Sequence, residues 1–265
     1  MASGNVIFSI IMSIIIMVLV IINSFYNNSK FKNFNNKVIF RTLHPYVIRL
    51  LTKKGTGFCS GSIINQWKIV TAAHWIHKRH NIYVNKYDNK LENNDIPKIQ
   101  PYNHRMLNIS KNKIVRCHFM KEFIKNCLIE KPNNICYNDL SICTVDKKII
   151  FNKYIQPASI STTFHGNNLS VYFLGYGSDL FGTNTYRLRQ KYATINSCDS
   201  NKLYCSYSVH SKPDVSPGDS GGPVIYKNKQ IGITIAYLEK KVSLVLPFHI
   251  HNDFINKDMA GTVLD

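Results

Sequence analysis

The chain has 265 residues and 45% of them are hydrophobic, which suits one large globular domain or two small ones and excludes a largely disordered chain. Lys and Arg together number 33 against 15 Asp and Glu, giving a formal net charge of +18 at pH 7. The lysines are scattered among Asn and Ile and form no compact basic stripe. We therefore expect a solvated basic surface that can contact polyanions, and no specific nucleic-acid site.

An uncharged apolar segment, residues 6–22 (VIFSIIMSIIIMVLVII), opens the chain. Its length is at the short end of a membrane span. The basic residues Lys30, Lys32 and Lys37 follow it, which by the positive-inside rule leaves the rest of the chain cytoplasmic. The sequence predicts an N-terminal hydrophobic helix that acts as an uncleaved anchor, with a cleaved secretory signal as the alternative. This anchor or signal, together with the polar tether that follows it, is predicted to occupy residues 1–37.

Short apolar runs separated by turn residues fill most of the remaining chain, which forms a second domain, 38–265. They are rich in Ile, Val, Tyr and Phe, a pattern typical of an all-β sandwich or barrel. The predicted strands lie in 47–51, 62–73, 139–145, 169–177, 192–195, 223–226, 230–238 and 242–248. Residues 248–259 are predicted to be helical, and the polar segment 78–132 is predicted to hold long loops.

Residues 213–224 (PDVSPGDSGGPV) carry the strongest chemical signal. A nucleophilic serine needs a neighbouring base, a carboxylate that orients the base, and backbone N–H donors for the oxyanion. Glycines on both sides of Ser220 allow the tight turn that presents such donors. The stretch also fits the G-x-S-x-G pattern of α/β-hydrolases, but these enzymes place the acid and the histidine after the serine. Only the short segment 221–265 follows Ser220, and it begins with a strand-like run.

Better partners for Ser220 lie upstream in the chain. His74 ends the apolar run in 71–74 (TAAH), and Asp139 begins another in 138–140 (NDL). The order His74, Asp139, Ser220 is that of the chymotrypsin-type triad.

The chain here resembles the trypsin/chymotrypsin-like serine proteases, in five stretches that follow the family's order. They are GFCSGSII (57–64), TAAH (71–74), NDL (138–140), LGYG (174–177) and GDSGGP (218–223). The resemblance covers about 38–255. It implies two packed antiparallel β-barrels, the first over about 38–150 and the second over about 151–265, with a C-terminal helix.

The resemblance also implies roles for single residues. His74 would be the general base and then the general acid, Asp139 would hold its tautomer, and Ser220 would attack the scissile carbonyl. The N–H groups of Gly218 and Ser220 would form the oxyanion hole. Asp219 would pair with an N-terminus freed by cleavage. Neither a cofactor nor a metal is implied, and His249 and His251, which no motif surrounds, are predicted to be non-catalytic.

Substrate preference rests on Asp214, six residues before Ser220. In the family an Asp at this place selects Lys or Arg, because a buried carboxylate needs a cation. The alternative is a turn aspartate after Pro213. Tyr237 stands where a small glycine usually leaves the pocket mouth open, and Ser216 replaces a pocket cysteine. A narrowed or blocked pocket therefore remains the rival to Lys/Arg specificity.

Activation is predicted at the segment 37–39, which resembles the family's R-I-V cleavage site although Phe40 and Arg41 replace its glycines. Cleavage after Lys37 would make Val38 the new N-terminus. The same cut would release the domain from its anchor.

The seven cysteines depart from the family's pattern, and an odd number leaves at least one outside an intrachain pair. Trp75 stands where the family usually has the cysteine that pairs with the position of Cys59. The losses fit either divergence or a partly reducing compartment.

Two cysteine pairs can still be suggested. Cys198 and Cys205 lie where the family has a bridge across the loop before the pocket, although the loop here is short. Cys127 and Cys136 could close a loop just before Asp139.

We expect a serine endopeptidase that cleaves protein or peptide substrates and is membrane-anchored or secreted. The rival is a protease-like binding protein with a defective pocket or activation switch. The apolar N-terminus followed by lysines, with the Asn/Ile/Lys bias, is similar to envelope proteins of large insect DNA viruses.

Overall fold

A computed structural model of the protein describes residues 37–38, 43–52, 57–77, 83–85, 111–120, 123, 136–178, 187–208, 215–238 and 242–260. The apolar segment 6–22 lies outside these ranges, so the predicted N-terminal helix does too. Across the described ranges, no helix is both long and apolar enough to span a bilayer.

Thirteen strands form within the described residues, and they confirm the predicted all-β class. They are β1 (Lys37–Val38), β2 (Val47–Leu51), β3 (Gly57–Ile63), β4 (Lys68–Thr71), β5 (Tyr83–Asn85), β6 (Lys111–Phe119), β7 (Ser141–Val145), β8 (Leu169–Gly175), β9 (Arg189–Cys198), β10 (Leu203–Tyr207), β11 (Pro223–Tyr226), β12 (Lys229–Leu238) and β13 (Val242–Pro247).

The first half of the fold is a closed antiparallel barrel in the order β2-β3-β4-β7-β6-β5. Its interior is filled by aliphatic side chains that are essentially excluded from solvent. The largest are Ile48, Leu50, Ile63, Ile69 and Ile149. Burial of this apolar area is the main force that closes the barrel.

The polar segment 78–132 was predicted to hold long loops, and two parts of it form the strands β5 and β6 instead. A register irregularity between Ile114 and Arg116 interrupts the alternation of β6, and Val115 is exposed at that point. Asn112, by contrast, is buried. A bulge that shifts the faces removes the period-two signal by which a strand is normally predicted.

The second half is a sheet in the order β1-β9-β10-β13-β12-β11-β8, and an added pairing of β8 with β9 joins the two ends of its last six strands. The strand β1 belongs to this sheet, since Lys37 pairs with Gln190 and Val38 with Arg189. The chain's first described strand therefore lies against the second half of the fold.

The junction between the halves is apolar. One cluster combines Ala72 and Leu140 from the first barrel with Ile233, Leu244 and Leu246 from the second sheet. Ala72 and Leu140 are close in sequence to His74 and Asp139, so this packing fixes the backbone on which those two side chains stand.

A short C-terminal helical region completes the fold, as predicted for 248–259. It consists of a 3₁₀ turn (His249–His251) and an α-helix (Asn252–Ala260). Asp258 lies 2.7 Å from His118 Nδ1 and 3.5 Å from Lys68 Nζ, both on the first barrel. Through these contacts the C-terminal helix packs against the first half of the fold.

Two disulfides are found between described cysteines. The Cys198–Cys205 bridge joins β9 to β10 and confirms that predicted pair. The Cys117–Cys143 bridge joins directly opposed residues of β6 and β7 and was not foreseen, because β6 was not. Cys136 is also disulfide-bonded, and Cys127, its predicted partner, lies outside the described residues.

Candidate active site

His74 stands at the end of the first barrel's β4. The strand leads through Ala72 into a single helical turn, α1 (Ala73–Ile76), whose residue Ala73 is buried and donates its N–H to the Asp139 carbonyl at 3.3 Å. This bond and the apolar packing of Ala72 and Ala73 fix the turn. The imidazole of His74 consequently extends from a backbone held by these contacts and is about one-third exposed.

Asp139 forms two hydrogen bonds with His74. Its Oδ1 accepts the backbone N–H of His74 at 2.7 Å, and its Oδ2 lies 2.5 Å from Nδ1 of the ring. Asp139 is 3% exposed. Because an ionised carboxylate can only accept, we assign the proton to Nδ1, which leaves the lone pair of Nε2 available as a base.

Ser220 lies in a tight loop that precedes β11. Three amides of this loop donate to backbone carbonyls at 2.7–2.9 Å. The Asp219 N–H bonds to Ser216 O and the Gly222 N–H to Asp219 O within the loop, and the Gly221 N–H bonds to Thr234 O on β12. Within the described part of the chain, the N–H groups of Gly218 and Ser220 donate to no backbone carbonyl. These are the two donors that the sequence predicts for an oxyanion hole.

Glycine is required at both bends of this loop. Gly218 has φ +98° and Gly221 has φ +77°, in the left-handed region that L side chains rarely adopt. A Cβ on Gly221 would lie 2.1 Å from Thr71 Oγ1 and 2.7 Å from the Ala72 nitrogen. The loop of Ser220 therefore touches the backbone that leads into His74, and a methyl group would push the two apart.

Hydrogen bonds also join the two halves at this loop. The Ser220 carbonyl accepts from the Ser60 N–H at 3.0 Å and from Cys59 Sγ at 2.6 Å. The Ser60 hydroxyl donates to the Gly218 carbonyl at 2.7 Å. Strand β3 of the first barrel thus holds the carbonyl side of the loop and leaves the N–H side of Gly218 and Ser220 uncovered by these bonds.

Asp219, next to Ser220, is buried and fully engaged. Its Oδ1 accepts the Gly177 N–H at 2.8 Å, and its Oδ2 accepts the Ser216 N–H at 2.9 Å. Lys191 Nζ lies 2.7 Å from Oδ2. Sequence reasoning missed Lys191. The signal in the sequence was a lysine at one of the alternate positions of β9 that are buried, which it shares with Arg189, Ala193 and Ile195.

The other residues that the sequence analysis singled out concern the cleavage site and the substrate pocket. Val38 lies in β1 opposite Arg189. Asp214 and the side chain of Tyr237 lie outside the described residues, so the predicted pocket is not described. Ser216, which replaces a cysteine, is half-buried, and its Oγ lies 2.8 Å from the Ser178 carbonyl.

The two C-terminal histidines have other surroundings. His251 is buried, with Nε2 3.0 Å from the Tyr137 carbonyl. His249 packs edge-on against Phe164, and burial lowers its pKa. No group of three or more metal-ligating side chains that could hold an ion occurs among the residues the structure describes.

Comparison with known proteins agrees with this architecture. The family model described as Trypsin matches residues 35–244. The chain belongs to the trypsin family. Alpha-fibrinogenase albofibrase of Trimeresurus albolabris is 26% identical over 237 residues, covering 82% of this chain and 83% of its own. Trypsin theta of Drosophila melanogaster is 26% identical over 206 residues, covering 72% and 70%.

The fold of this trypsin-family chain is shared with solved structures. Neuropsin, a serine protease expressed in the limbic system of mouse brain, superposes with a TM-score of 0.66 at 16% identity, covering 84% of this chain and 98% of its own. At such identity the likeness establishes the fold alone. The family match identifies the chain as a trypsin-like serine protease homologue. Its catalytic activity has to be argued from its own residues.

Proposed function

We propose that the protein is a serine endopeptidase that hydrolyses peptide bonds with His74, Asp139 and Ser220 through an acyl-enzyme. The observation that supports this most strongly is the doubly bonded His74–Asp139 pair, held against the glycine-rich loop of Ser220. Because Nδ1 of His74 is hydrogen-bonded to Asp139, Nε2 is the ring nitrogen that would act as the base.

In the first half of the reaction, His74 Nε2 takes the proton of the Ser220 hydroxyl as its oxygen bonds to the scissile carbonyl carbon. The developing oxyanion accepts from the N–H groups of Gly218 and Ser220. The imidazolium, which the Asp139 carboxylate stabilises, then gives its proton to the leaving amine as the C–N bond breaks. Water repeats the sequence on the ester and releases the acid.

For the substrate we propose peptides cleaved after Lys or Arg, with Asp214 as the carboxylate that pairs with the cation. The support is the position of Asp214 six residues before Ser220. A pocket narrowed at Tyr237 predicts cleavage after small residues instead. We further propose that the segment 1–37 anchors the domain to a membrane or exports it.

Hydrolysis of a peptide library tests the activity and the specificity together. We expect cleavage after Lys and Arg that disappears in Ser220→Ala and persists in Ser170→Ala, since Ser170 is exposed on β8. Cleavage after small residues would replace the Lys/Arg proposal with the narrowed pocket. Cleavage that persists in Ser220→Ala would refute Ser220 as the nucleophile. A folded protein that binds peptides without cleaving them would favour the binding-protein alternative.

A further inference from the structure

A buried ion pair lies directly behind the loop of Ser220. Lys191 Nζ is 2.7 Å from Asp219 Oδ2, and the two side chains are 9% and 5% exposed. The same Nζ lies 3.1 Å from Ser216 Oγ. A lysine on the inward face of a strand is costly unless a carboxylate compensates it, so each charge is required by the other.

The ion pair with Lys191 fixes the position of the Asp219 carboxylate. With Lys191 as its cation, the carboxylate of Asp219 also accepts the N–H groups of Gly177 and Ser216. The Asp219 N–H closes the turn onto the Ser216 carbonyl at 2.9 Å. These contacts place the backbone between Ser216 and Ser220, and with it the N–H groups of Gly218 and Ser220.

The segment where cleavage is predicted is paired with the part of β9 that leads to this lysine. Lys37 and Val38 lie in β1 opposite Gln190 and Arg189, the two residues that precede Lys191. The cation that Asp219 contacts therefore comes from within the chain, and it fills the role that a new N-terminus would otherwise have to fill.

We propose that Lys191 is a positioning residue that replaces a cleavage-generated N-terminal ammonium, so that the chain is competent for peptide hydrolysis without a cut after Lys37. The inference rests on the proposed function, because it assigns the residue that holds the oxyanion hole of that same site. Its action runs through Asp219, and Lys191 itself touches no reacting atom.

The test is the labelling rate of Ser220 by a fluorophosphonate in the full-length chain carrying Lys37→Gln. Intact mass confirms that the labelled protein is uncut. The parent chain is expected to label. Lys191→Met is expected to lower the labelling rate about a hundredfold, the loss typical of removing an oxyanion-hole donor. Lys191→Arg, which keeps the cation, is expected to retain much of the rate, and Lys229→Met, at an exposed lysine of β12, all of it.

Folding is followed by circular dichroism, because Lys191→Met leaves Asp219 buried without its cation. If that variant does not fold, the double variant Lys191→Met/Asp219→Asn takes its place, since it removes both charges and leaves none uncompensated. It is expected to fold and to label slowly. A folded variant of either kind that labels at the parent rate or faster would overturn the proposal.

Failure of this inference can be separated from failure of the proposed function. If the uncut chain is inert and labelling of Ser220 begins only after cleavage at Lys37 in the unmodified sequence, the protease assignment stands and the role of Lys191 is refuted. If neither the cut nor the uncut folded chain labels at Ser220, the proposed function itself fails and the inference falls with it.

Discussion

The two halves of the molecule hold their parts of the site by different means. In the first barrel, His74 and Asp139 stand on backbone fixed by apolar packing, and the Cys117–Cys143 disulfide cross-links β7, the strand that follows Asp139. In the second half, the loop of Ser220 is held by polar contacts around Asp219, and Ser216 replaces a cysteine. The proposed base is therefore held by apolar packing, while the proposed nucleophile depends on buried charges that a single substitution can unbalance.

The largest effect is expected from Asp139→Asn, which acts on the first half alone. The amide would donate to Nδ1 of His74, so the ring proton would move to Nε2 and the base would be lost. We expect kcat to fall roughly ten-thousandfold with the fold retained, as the same change does in chymotrypsin-type proteases. Steady-state hydrolysis and a thermal melt measure the two quantities.

Asp146→Asn is the matched control for this change. Asp146 is exposed and accepts the Lys113 N–H in the same barrel. Its variant should keep the parent kcat. An Asp139→Asn enzyme with undiminished kcat would show that the His74–Asp139 pair only stabilises the barrel.

Next in size is the effect of Asp219→Asn on the second half. It leaves Lys191 charged and buried without a counter-charge, which typically costs about 3–5 kcal/mol in the free energy of unfolding. Asp258→Asn breaks a comparably buried pair at the C-terminal helix, with side-chain exposures of 12% and 10% for Lys68 and Asp258. Both variants should be less stable in denaturant titrations, and only Asp219→Asn should also lose activity.

If Asp258→Asn lowered kcat as much as Asp219→Asn does, the loss would follow from general destabilisation. The distinction between the two halves would then be wrong.

The contact between the halves is tested by Gly221→Ala beside Gly166→Ala. Both glycines have positive φ, but a Cβ at Gly166 meets nothing within 4 Å, whereas one at Gly221 meets Thr71 and Ala72. Displacement of Ser220 from His74 by about 1 Å can cost about a hundredfold in rate. We therefore expect Gly221→Ala to lose activity on that scale and Gly166→Ala to keep it. Equal activities would show that the loop tolerates separation from the first barrel.

The smallest expected effect is a pH dependence at His44, which spans the halves. Its Nε2 lies 3.1 Å from Gln190 Oε1 on β9, and its Nδ1 lies 2.9 Å from the Tyr46 hydroxyl. Burial lowers the pKa of His44 below its ordinary value of 6.5, so on acidification the unfolded chain takes up the proton first. The stabilisation is thus complete above pH 6.5 and is lost as the pH falls through the lower, folded-state pKa.

Denaturant midpoints at about pH 7.5 and about pH 5.5 measure this dependence. His44→Asn should lose less stability between the two than the parent. An identical loss would place the acid sensitivity at other groups.

Elements with an uninterrupted pattern could be predicted from the sequence. The strands β2 and β11 begin and end at the predicted residues, because each is an apolar run bounded by turn residues. The family followed from five short motifs in a fixed order. Such motifs report local backbone geometry, which neighbouring residues determine.

The missed features depend on contacts between distant residues. The bulge in β6 depends on the pairing of this strand with β7. Because β6 was not predicted from the sequence, the Cys117–Cys143 disulfide that joins it to β7 was not predicted either. Lys191 and Asp219 are 28 positions apart and meet only because β9 passes behind the loop of Ser220. The alternation of β9 places Lys191 on the buried face, but no local pattern indicates that Asp219 is the carboxylate it meets.

The most direct test of the account is to map the fluorophosphonate adduct on the full-length chain by peptide mass spectrometry. We expect one modified residue, Ser220, with the adduct absent from Ser220→Ala and nearly absent from His74→Ala. An adduct that persists in Ser220→Ala would contradict the assignment, as would a folded wild-type chain that reacts neither before nor after cleavage at Lys37.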